Sequence, residues 1–173
     1  MDKLSVVKIG GNIIENEEVL NSFLTDFAQM QGPKILVHGG GKKATAIAQQ
    51  LDVSVQMVEG RRITDDKNLD IITMLYGGKI NKNIVAQLQG FGCNAVGLSG
   101  ADGNAIQAIK RPVKTIDYGF VGDVTGVNSS FFKILLEGGY TPVCCAITHD
   151  QKGQLLNTNG DTIASALSQG LSE

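Results

Sequence analysis

Short apolar runs alternate with longer segments of helical period along this chain of 173 residues. The apolar runs predict four buried strands: LSVVKI (4–9), KILVHG (34–39), NAVGLS (94–99) and TPVCCAI (141–147). Continuous apolar runs separated by helices are what parallel strands need when helices cover both faces of their sheet. The pattern therefore predicts an α/β domain, a three-layer α/β/α sandwich with a mainly parallel central sheet.

The segments between these strands predict helices and hairpins. The helical segments are Glu17–Met30, Lys42–Leu51, Asp65–Leu75, Lys79–Gln89, Ser129–Glu137 and Asn159–Leu171. Asp65 and Asp66 place negative charge at the start of the third helix, and Gly138-Gly139 ends the fifth. Three further stretches predict extended chain or hairpins over the carboxyl edge of the sheet: 53–58 with 61–64, 105–126, and 154–157.

Charge and hydropathy exclude several classes of function. A formal net charge of −2 argues against bulk electrostatic binding to nucleic acid or anionic lipid. No apolar run approaches the roughly 18 residues of a membrane span. The N-terminus, MDKLSVVKIGG, lacks the pattern of an export signal, so we expect a cytoplasmic protein. Cys93, Cys144 and Cys145 lie in apolar runs without metal-ligand spacing, and we expect buried, reduced thiols.

A lysine and a glycine pair close the first predicted strand, in the sequence Val6-Val7-Lys8-Ile9-Gly10-Gly11. Glycines let a phosphate approach backbone N–H groups because no Cβ stands in the way. This motif alone supports equally a phosphate site and a plain turn in which the Lys8 side chain extends into solvent.

A second glycine motif, Gly39-Gly40-Gly41, follows the second predicted strand and His38. Loops after neighbouring parallel strands meet at one edge of the sheet, where α/β proteins bind ligands. Neither motif matches GxxxxGK[ST] or GxGxxG, which excludes a Walker loop and a plain dinucleotide site. We expect His38 to be a structural hydrogen-bonding residue rather than a base.

Six motifs occur in the order found in acetylglutamate kinases: KIGGN (8–12), VHGGG (37–41), EGRRIT (59–64), GLSGADGN (97–104), DYGFVGDVTGVN (117–128) and NTNGD (157–161). The chain thus resembles this branch of the amino acid kinase family. The resemblance implies a carbamate kinase-like fold and phosphoryl transfer from ATP, with Mg²⁺, to the side-chain carboxylate of N-acetyl-L-glutamate in arginine biosynthesis. A carboxylate is ionised at pH 7 and needs no general base, but the transferring phosphoryl group needs charge compensation.

The resemblance also implies roles for individual residues. The catalytic pair is Lys8, which steadies the phosphoryl group, and Asp161, which holds the catalytic lysines in place. The residues that contact phosphoryl oxygens are Gly10, Gly11, Gly39 and Gly40, those that bind the acylglutamate are Gly40, Gly41, Arg62 and Asn157, and no protein metal site is implied. On the residues alone, the alternative for Arg62 is a solvated hairpin charge, as Arg61 is expected to be. The alternative for Asp161 is a first-turn helix residue, a position that a functional aspartate can also occupy. Lys79 and Lys82 are expected to lie on a solvated face.

By the same resemblance, residues 1–173 correspond to the N-terminal, acylglutamate-binding part of such a kinase. The segment that binds adenine and ribose and supplies a second lysine is not among them. Two alternatives stay open: an N-succinylglutamate kinase and a non-catalytic acylglutamate-binding fragment. The seven residues before Lys8 leave no room for the extra helix of arginine-inhibited members, so a homodimer is expected. Apolar residues within Asp65–Gln89 are candidates for its two-fold contact or for the interior.

Overall fold

The computed structural model describes residues 3–172. Its strands are β1 (Ser5–Ile9), β2 (Lys34–His38), β3 (Gln56–Val58), β4 (Arg61–Ile63), β5 (Ala95–Leu98), β6 (Ile106–Lys110), β7 (Gly122–Val127), β8 (Thr141–Cys145), β9 (Ile147–His149) and β10 (Leu155–Asn157). Its α-helices are α1 (Gly11–Glu15), α2 (Glu17–Gln29), α3 (Gly41–Gln50), α4 (Asp66–Ile72), α5 (Asn81–Gly90), α6 (Ser129–Glu137) and α7 (Gly160–Gly170). A π-helical segment covers Thr73–Ile80, and one 3₁₀ turn covers Asp102–Asn104.

The central sheet has the strand order β1-β2-β8-β5, and all of its pairs are parallel. The two inner strands, β2 and β8, are buried at every position, so both faces of the sheet are covered. Helix α5 packs against β5 and β8, α6 against β8, and α7 against β1 and β2. The three-layer α/β sandwich predicted from the apolar runs is confirmed.

A second sheet, in the order β10-β9-β6-β7, and the β3–β4 hairpin accompany the central sheet. The chain passes from one sheet to the other at Ala146, the single residue between β8 and β9. The predicted extended stretch 105–126 is only partly strand, because residues 111–121 between β6 and β7 form an irregular loop. Backbone groups of this loop bond to Thr64 and Asn157, which explains why it does not continue the ladder.

The prediction of separate helices at 65–75 and 79–89 is wrong: α4, the π segment and α5 form one continuous helix. Gly77-Gly78 costs helix stability locally, but packing of the buried Leu75, Tyr76 and Ile80 outweighs that cost. The residues considered for a two-fold contact are all buried inside the chain: Ile71, Ile72, Leu75, Ile80 and Ile84. They belong to the interior rather than to an exposed surface.

Helix ends follow the predicted chemistry. The Asp65 carboxylate accepts from the Asn68 backbone N–H at 2.8 Å, and hydrogen bonds from Asn68 hold the pKa of Asp65 below its usual value. Gly139, with φ of +77°, follows the end of α6. The buried Lys34 ammonium donates to the carbonyls of Ala28 and Met30 at the end of α2, at 2.8 and 2.7 Å. Helix α1 was not predicted from the sequence.

All three cysteines are free and buried, as predicted. Burial raises the pKa of Cys145 to about 12 and raises that of Cys144 further, so both are unreactive thiols at neutral pH. None of the helices formed by residues 3–172 is both long and apolar enough to traverse a lipid bilayer.

Candidate functional site

Both glycine motifs lie at the carboxyl edge of the central sheet. Ile9 at the end of β1 pairs with His38 at the end of β2, so Gly10 and Gly39 leave adjacent strands at the same level. A Cβ on Gly39 would lie 4.0 Å from that of Ala146, which follows β8. The loops that follow three neighbouring strands, β1, β2 and β8, therefore meet at one place, where α/β folds bind ligands.

Gly40 cannot be replaced by a larger residue without rearrangement. Its φ is +153°, and a Cβ at this position would clash with the Ile80 side chain. Gly40 is the N-cap of α3 and provides no side-chain cap for that helix. The first backbone N–H groups of α3 are therefore available to an anion, and the helix dipole favours negative charge there.

Lys8 and Asp161 form an ion pair beside the first glycine motif. The Lys8 Nζ lies 3.0 Å from Asp161 Oδ1, with side-chain exposures of 30% and 72%. A Cβ on Gly10 would lie 3.9 Å from the same Nζ. Asp161 is held by the start of α7, where the Asn159 side chain accepts from its backbone N–H at 2.8 Å. The predicted catalytic pair is thus in direct contact.

Lys42, which the sequence analysis did not single out, connects the two glycine motifs. Its ammonium donates to Asn12 Oδ1 at 2.5 Å and lies 3.7 Å from Glu15 Oε2. Asn12 and Glu15 belong to α1, and Lys42 belongs to α3. Its place directly after the glycine triplet was the only signal in the sequence.

Arg62 is buried, with 7% of its surface exposed, although it lies on a two-stranded hairpin. Its guanidinium donates to Gly41 O at 2.9 Å, Thr45 Oγ1 at 2.6 Å and Asn68 Oδ1 at 3.3 Å. These acceptors are neutral, and no carboxylate of residues 3–172 pairs with the cation. Burial lowers the pKa of Arg62, yet a guanidinium stays charged at neutral pH. The neighbouring Arg61 is exposed, as expected.

Asn157 is connected to the Arg62 hairpin through Thr64. Its side-chain N–H donates to Thr64 Oγ1 at 3.0 Å, and its backbone N–H donates to Phe120 O at 2.9 Å. The Phe120 N–H in turn donates to Thr64 O at 2.7 Å. Gly119, with φ of +70°, sits where a Cβ would clash with the Thr64 carbonyl. The loop around Gly119 therefore connects the strands that carry Arg62 and Asn157.

His38 has the structural role that the sequence analysis predicted. It is fully buried, its Nδ1 donates to Gly39 O at 3.0 Å, and its Nε2 accepts from Asn81 Nδ2 at 3.0 Å. The second Asn81 N–H donates to Val143 O at 2.9 Å. Burial lowers the pKa of His38 to about 4, so it is neutral at physiological pH. Lys79 and Lys82 are exposed, also as expected.

The predicted site residues form one connected group at this edge of the sheet. Lys8, Gly10 and Asp161 lie at one end, and the second glycine motif lies beside them. Arg62 contacts Gly41, and Asn157 contacts the Arg62 hairpin. Among residues 3–172, no three His, Cys, Asp or Glu side chains are grouped so as to hold a metal ion.

Three residues of the site were not predicted from the sequence: Thr45 and Asn68, which accept hydrogen bonds from Arg62, and Tyr76, which packs against Gly40. Tyr76 is buried on the π segment, with its ring against Gly40. Burial raises the Tyr76 pKa to about 12, against a smaller opposing effect of the Arg62 charge. Each of these residues lies on a helix, apart from the hairpin that carries Arg62. None of them belongs to a motif that the sequence alone identifies.

A family model described as "Amino acid kinase family" matches residues 3–172. The acetylglutamate kinase of Phocaeicola vulgatus is 54% identical over 170 residues, which cover 98% of this chain and 66% of that protein. The acetylglutamate kinase of Cytophaga hutchinsonii is 58% identical over 172 residues, which cover 99% of this chain and 65% of that protein. The chain thus spans slightly less than two thirds of the length of these relatives.

Solved structures share the fold at low sequence identity. Smu.665 from Streptococcus mutans matches with a TM-score of 0.82 and 24% identity, over 99% of this chain and 70% of that one. Giardia carbamate kinase matches with a TM-score of 0.58 and 15% identity, over 98% of this chain and 69% of that one. The carbamate kinase-like fold expected from the motifs is confirmed.

Proposed function

The chain belongs to the amino acid kinase family, and from this premise we propose that its protein phosphorylates the side-chain carboxylate of N-acetyl-L-glutamate with ATP. The observation that carries the proposal is the buried Arg62 cation, whose hydrogen-bond partners among residues 3–172 are all neutral. A buried charge without a counter-ion is costly, so its retention beside two glycine loops indicates an anionic ligand. The identity of 54% to an acetylglutamate kinase supports the same reading.

The proposed reaction is an in-line displacement at the γ-phosphorus of ATP. A side-chain carboxylate oxygen forms the new P–O bond, the bond to the ADP oxygen breaks, and ADP leaves with that electron pair. No proton moves, because the attacking carboxylate is ionised at pH 7. The proposed reaction therefore needs no general base. His38, which is neutral and hydrogen-bonded through both ring nitrogens, has a structural role.

Lys8 is proposed to compensate the charge that develops on the transferring phosphoryl group. Its ammonium is only partly exposed and lies beside Gly10, where the backbone can approach a phosphate closely. Asp161 holds that ammonium at 3.0 Å and so restricts its position before the substrates bind. The N–H groups at Gly10, Gly11, Gly39 and Gly40 are proposed as the remaining phosphoryl contacts.

Arg62 is proposed to bind the α-carboxylate of the acylglutamate. A guanidinium can pair with a carboxylate through two parallel hydrogen bonds, which fixes both position and orientation. Its neutral partners leave its charge uncompensated while they fix its plane. Asn157 and the Gly40-Gly41 backbone are proposed as the other contacts to the acylglutamate, since each is connected to the Arg62 hairpin or to α3.

ATP is proposed to enter as its magnesium complex, in which the ion neutralises charge on the phosphates. We propose that adenine and ribose are bound, and a second lysine supplied, by a part of the protein outside residues 1–173. The relatives support this division, because the chain spans 66% of the length of the Phocaeicola vulgatus kinase. Residues 1–173 are then the acylglutamate-binding part.

The proposal includes a pathway, a cellular location and an oligomeric state. The reaction belongs to arginine biosynthesis, as the relatives' enzyme name implies, and we place it in the cytoplasm. A homodimer is proposed from the resemblance to the family, and Met74, 62% exposed on the π segment, is an apolar residue open to such a contact. Light scattering of the purified protein tests the homodimer.

Calorimetric titration of the 173-residue chain tests the proposal directly. We expect N-acetyl-L-glutamate to bind, and N-succinyl-L-glutamate to bind more weakly. Tighter binding of the succinyl compound would make this an N-succinylglutamate kinase instead. If neither compound binds, the proposal is contradicted.

Activity is tested separately by ADP release from magnesium-ATP in the protein that contains this chain. Release that depends on N-acetyl-L-glutamate is the expected result. Binding of the acylglutamate without any ADP release would favour the non-catalytic, acylglutamate-binding alternative.

A further inference from the structure

The Tyr76 side chain packs against the second glycine motif. A Cβ built on Gly40 would lie 3.1 Å from Tyr76 Cε1 and 3.3 Å from Cδ1, so the ring packs directly on the Gly40 backbone. A Cβ on Gly41 would lie 3.7 Å from the Tyr76 hydroxyl oxygen. The hydroxyl is therefore at the start of α3, where Arg62 also makes its contact with Gly41 O.

The Tyr76 hydroxyl has no hydrogen-bond partner within residues 3–172, although only 5% of the residue is exposed. Within that range, Arg111 Nη1 is the one buried side-chain nitrogen or oxygen that lacks a partner. The unpartnered Tyr76 oxygen must therefore reach solvent. The small exposed part of Tyr76 thus includes its polar end, whereas buried tyrosine hydroxyls usually find a partner inside the protein.

Arg62 and Tyr76 offer complementary groups to one ligand. Both side chains approach Gly41: the Arg62 guanidinium donates to the Gly41 carbonyl at 2.9 Å, and a Cβ on Gly41 would lie 3.7 Å from the Tyr76 hydroxyl oxygen. A phenol with a pKa near 12 keeps its proton at neutral pH and can only donate to an anion. A hydrogen bond from a hydroxyl to a carboxylate is charge-assisted and short, and stronger than a neutral one.

We propose that the Tyr76 hydroxyl donates a hydrogen bond to the same carboxylate of the acylglutamate that Arg62 binds. This inference rests on the proposed function and adds to it a ligand-contacting residue on the π segment. The helix that contains the π segment contacts the second glycine motif at two places. Tyr76 packs against Gly40, and one turn later the Asn81 side chain bonds to His38, the residue before the glycines.

Affinity for N-acetyl-L-glutamate tests the proposal, measured by ligand-observed NMR on the 173-residue chain. Tyr76→Phe keeps the ring that packs on Gly40 and removes only the hydroxyl. We expect its dissociation constant to rise about 10-fold with an unchanged melting temperature, as for the loss of one hydrogen bond to a charged group. Tyr140→Phe is the matched control, because Tyr140 is exposed in the turn after α6, and the affinity of this variant should stay at the wild-type value.

A double-mutant cycle with Arg62→Lys tests whether one carboxylate is shared. Two residues that bind one group are coupled, so the combined loss of affinity should be smaller than the product of the two single losses. If the fold loss of affinity in the double variant equals the product of the two single losses, the proposal is overturned. A Tyr76→Phe affinity within twofold of wild type would also overturn it. If the wild-type chain itself fails to bind N-acetyl-L-glutamate, the proposed function fails and this inference fails with it.

Discussion

The two cations of the candidate site differ in how their charge is balanced. Lys8 is partly exposed and paired at 3.0 Å with Asp161, a carboxylate that is itself 72% exposed. Arg62 is buried, and its three hydrogen-bond acceptors are neutral. A buried guanidinium held by three fixed acceptors is preorganised for one anion, whereas an ammonium with one exposed ionic partner is positioned less strictly.

From this difference we expect the Lys8 end and the Arg62 end of the site to have different roles. In the proposed reaction, Arg62 binds the carboxylate that stays unchanged. Lys8 is proposed to face the phosphoryl group as its charge moves from ATP to the new acyl phosphate. Substitutions at the Lys8 end should therefore affect turnover, and substitutions at the Arg62 end should affect binding.

The largest effect is expected for Lys8→Ala in the protein that contains this chain. We expect kcat to fall about 10²–10³-fold with a smaller change in KM, because a contact made to the transferring group is lost. Steady-state ADP release is the measurement, and Lys79→Ala, an exposed lysine on the π segment, is the control. A kcat within a few-fold of wild type would remove Lys8 from the catalytic role.

Arg62→Ala should act on affinity instead. We expect the dissociation constant for N-acetyl-L-glutamate to rise about 100-fold, because a bidentate, charge-assisted pair is lost, while kcat changes little. Calorimetry measures this, and Arg61→Ala on the exposed side of the same hairpin should leave affinity unchanged. Since Arg62 is buried, a melting curve of each variant confirms that the fold persists. A loss confined to kcat would reverse the roles assigned to the two cations.

The protonation of His38 gives an intermediate effect, on stability rather than on activity. Burial lowers the pKa of His38 to about 4 in the folded chain, from an ordinary value of 6.5 when it is exposed on unfolding. The unfolded state therefore binds more protons between these values, and stability present above pH 6.5 is lost as the pH falls towards 4. For these two pKa values, the loss between pH 7 and pH 5 is about 2 kcal/mol.

Urea unfolding at pH 7 and pH 5 measures the His38 contribution. His38→Gln should be less stable at both pH values, because Asn81 and Gly39 lose their partner, but it should lack this part of the pH dependence. His149→Gln, which replaces the other histidine of the chain and leaves His38 in place, is the matched control. An identical pH dependence in wild type and His38→Gln would show that His38 is not the responsible group.

The smallest effect is expected for Asp161→Asn. An ion pair with an exposed carboxylate contributes little, so we expect kcat to fall by only about 2–5-fold and the affinity for N-acetyl-L-glutamate to stay unchanged. The amide keeps the shape of the side chain at the start of α7. If kcat fell as far as in Lys8→Ala, Asp161 would hold more than this one exposed pair, and the contrast between the two ends would need revision.

Local patterns in the sequence determined the layers of the fold and the two glycine motifs. Apolar runs marked β1, β2, β5 and β8, and their parallel pairing places Gly10 and Gly39 together without further information. Asp65 and Gly139 marked helix ends because capping depends on neighbouring residues only. The sequence motifs also supplied Lys8, Arg62, Asn157 and Asp161 as candidates, and the contacts of these residues agree with one site.

Tertiary packing decided what local patterns cannot encode. Gly77-Gly78 should weaken a helix, but packing of the buried Leu75, Tyr76 and Ile80 keeps the helix continuous through its π segment. The burial of Arg62 depends on Thr45 and Asn68, 17 and 6 residues away in the chain, and the link from Asn157 to Thr64 spans 93 residues. The position of Tyr76 against Gly40 likewise exists only once the helix packs on the sheet. Propensity and periodicity act over one or two turns, whereas these contacts are fixed by the free energy of packing distant segments together.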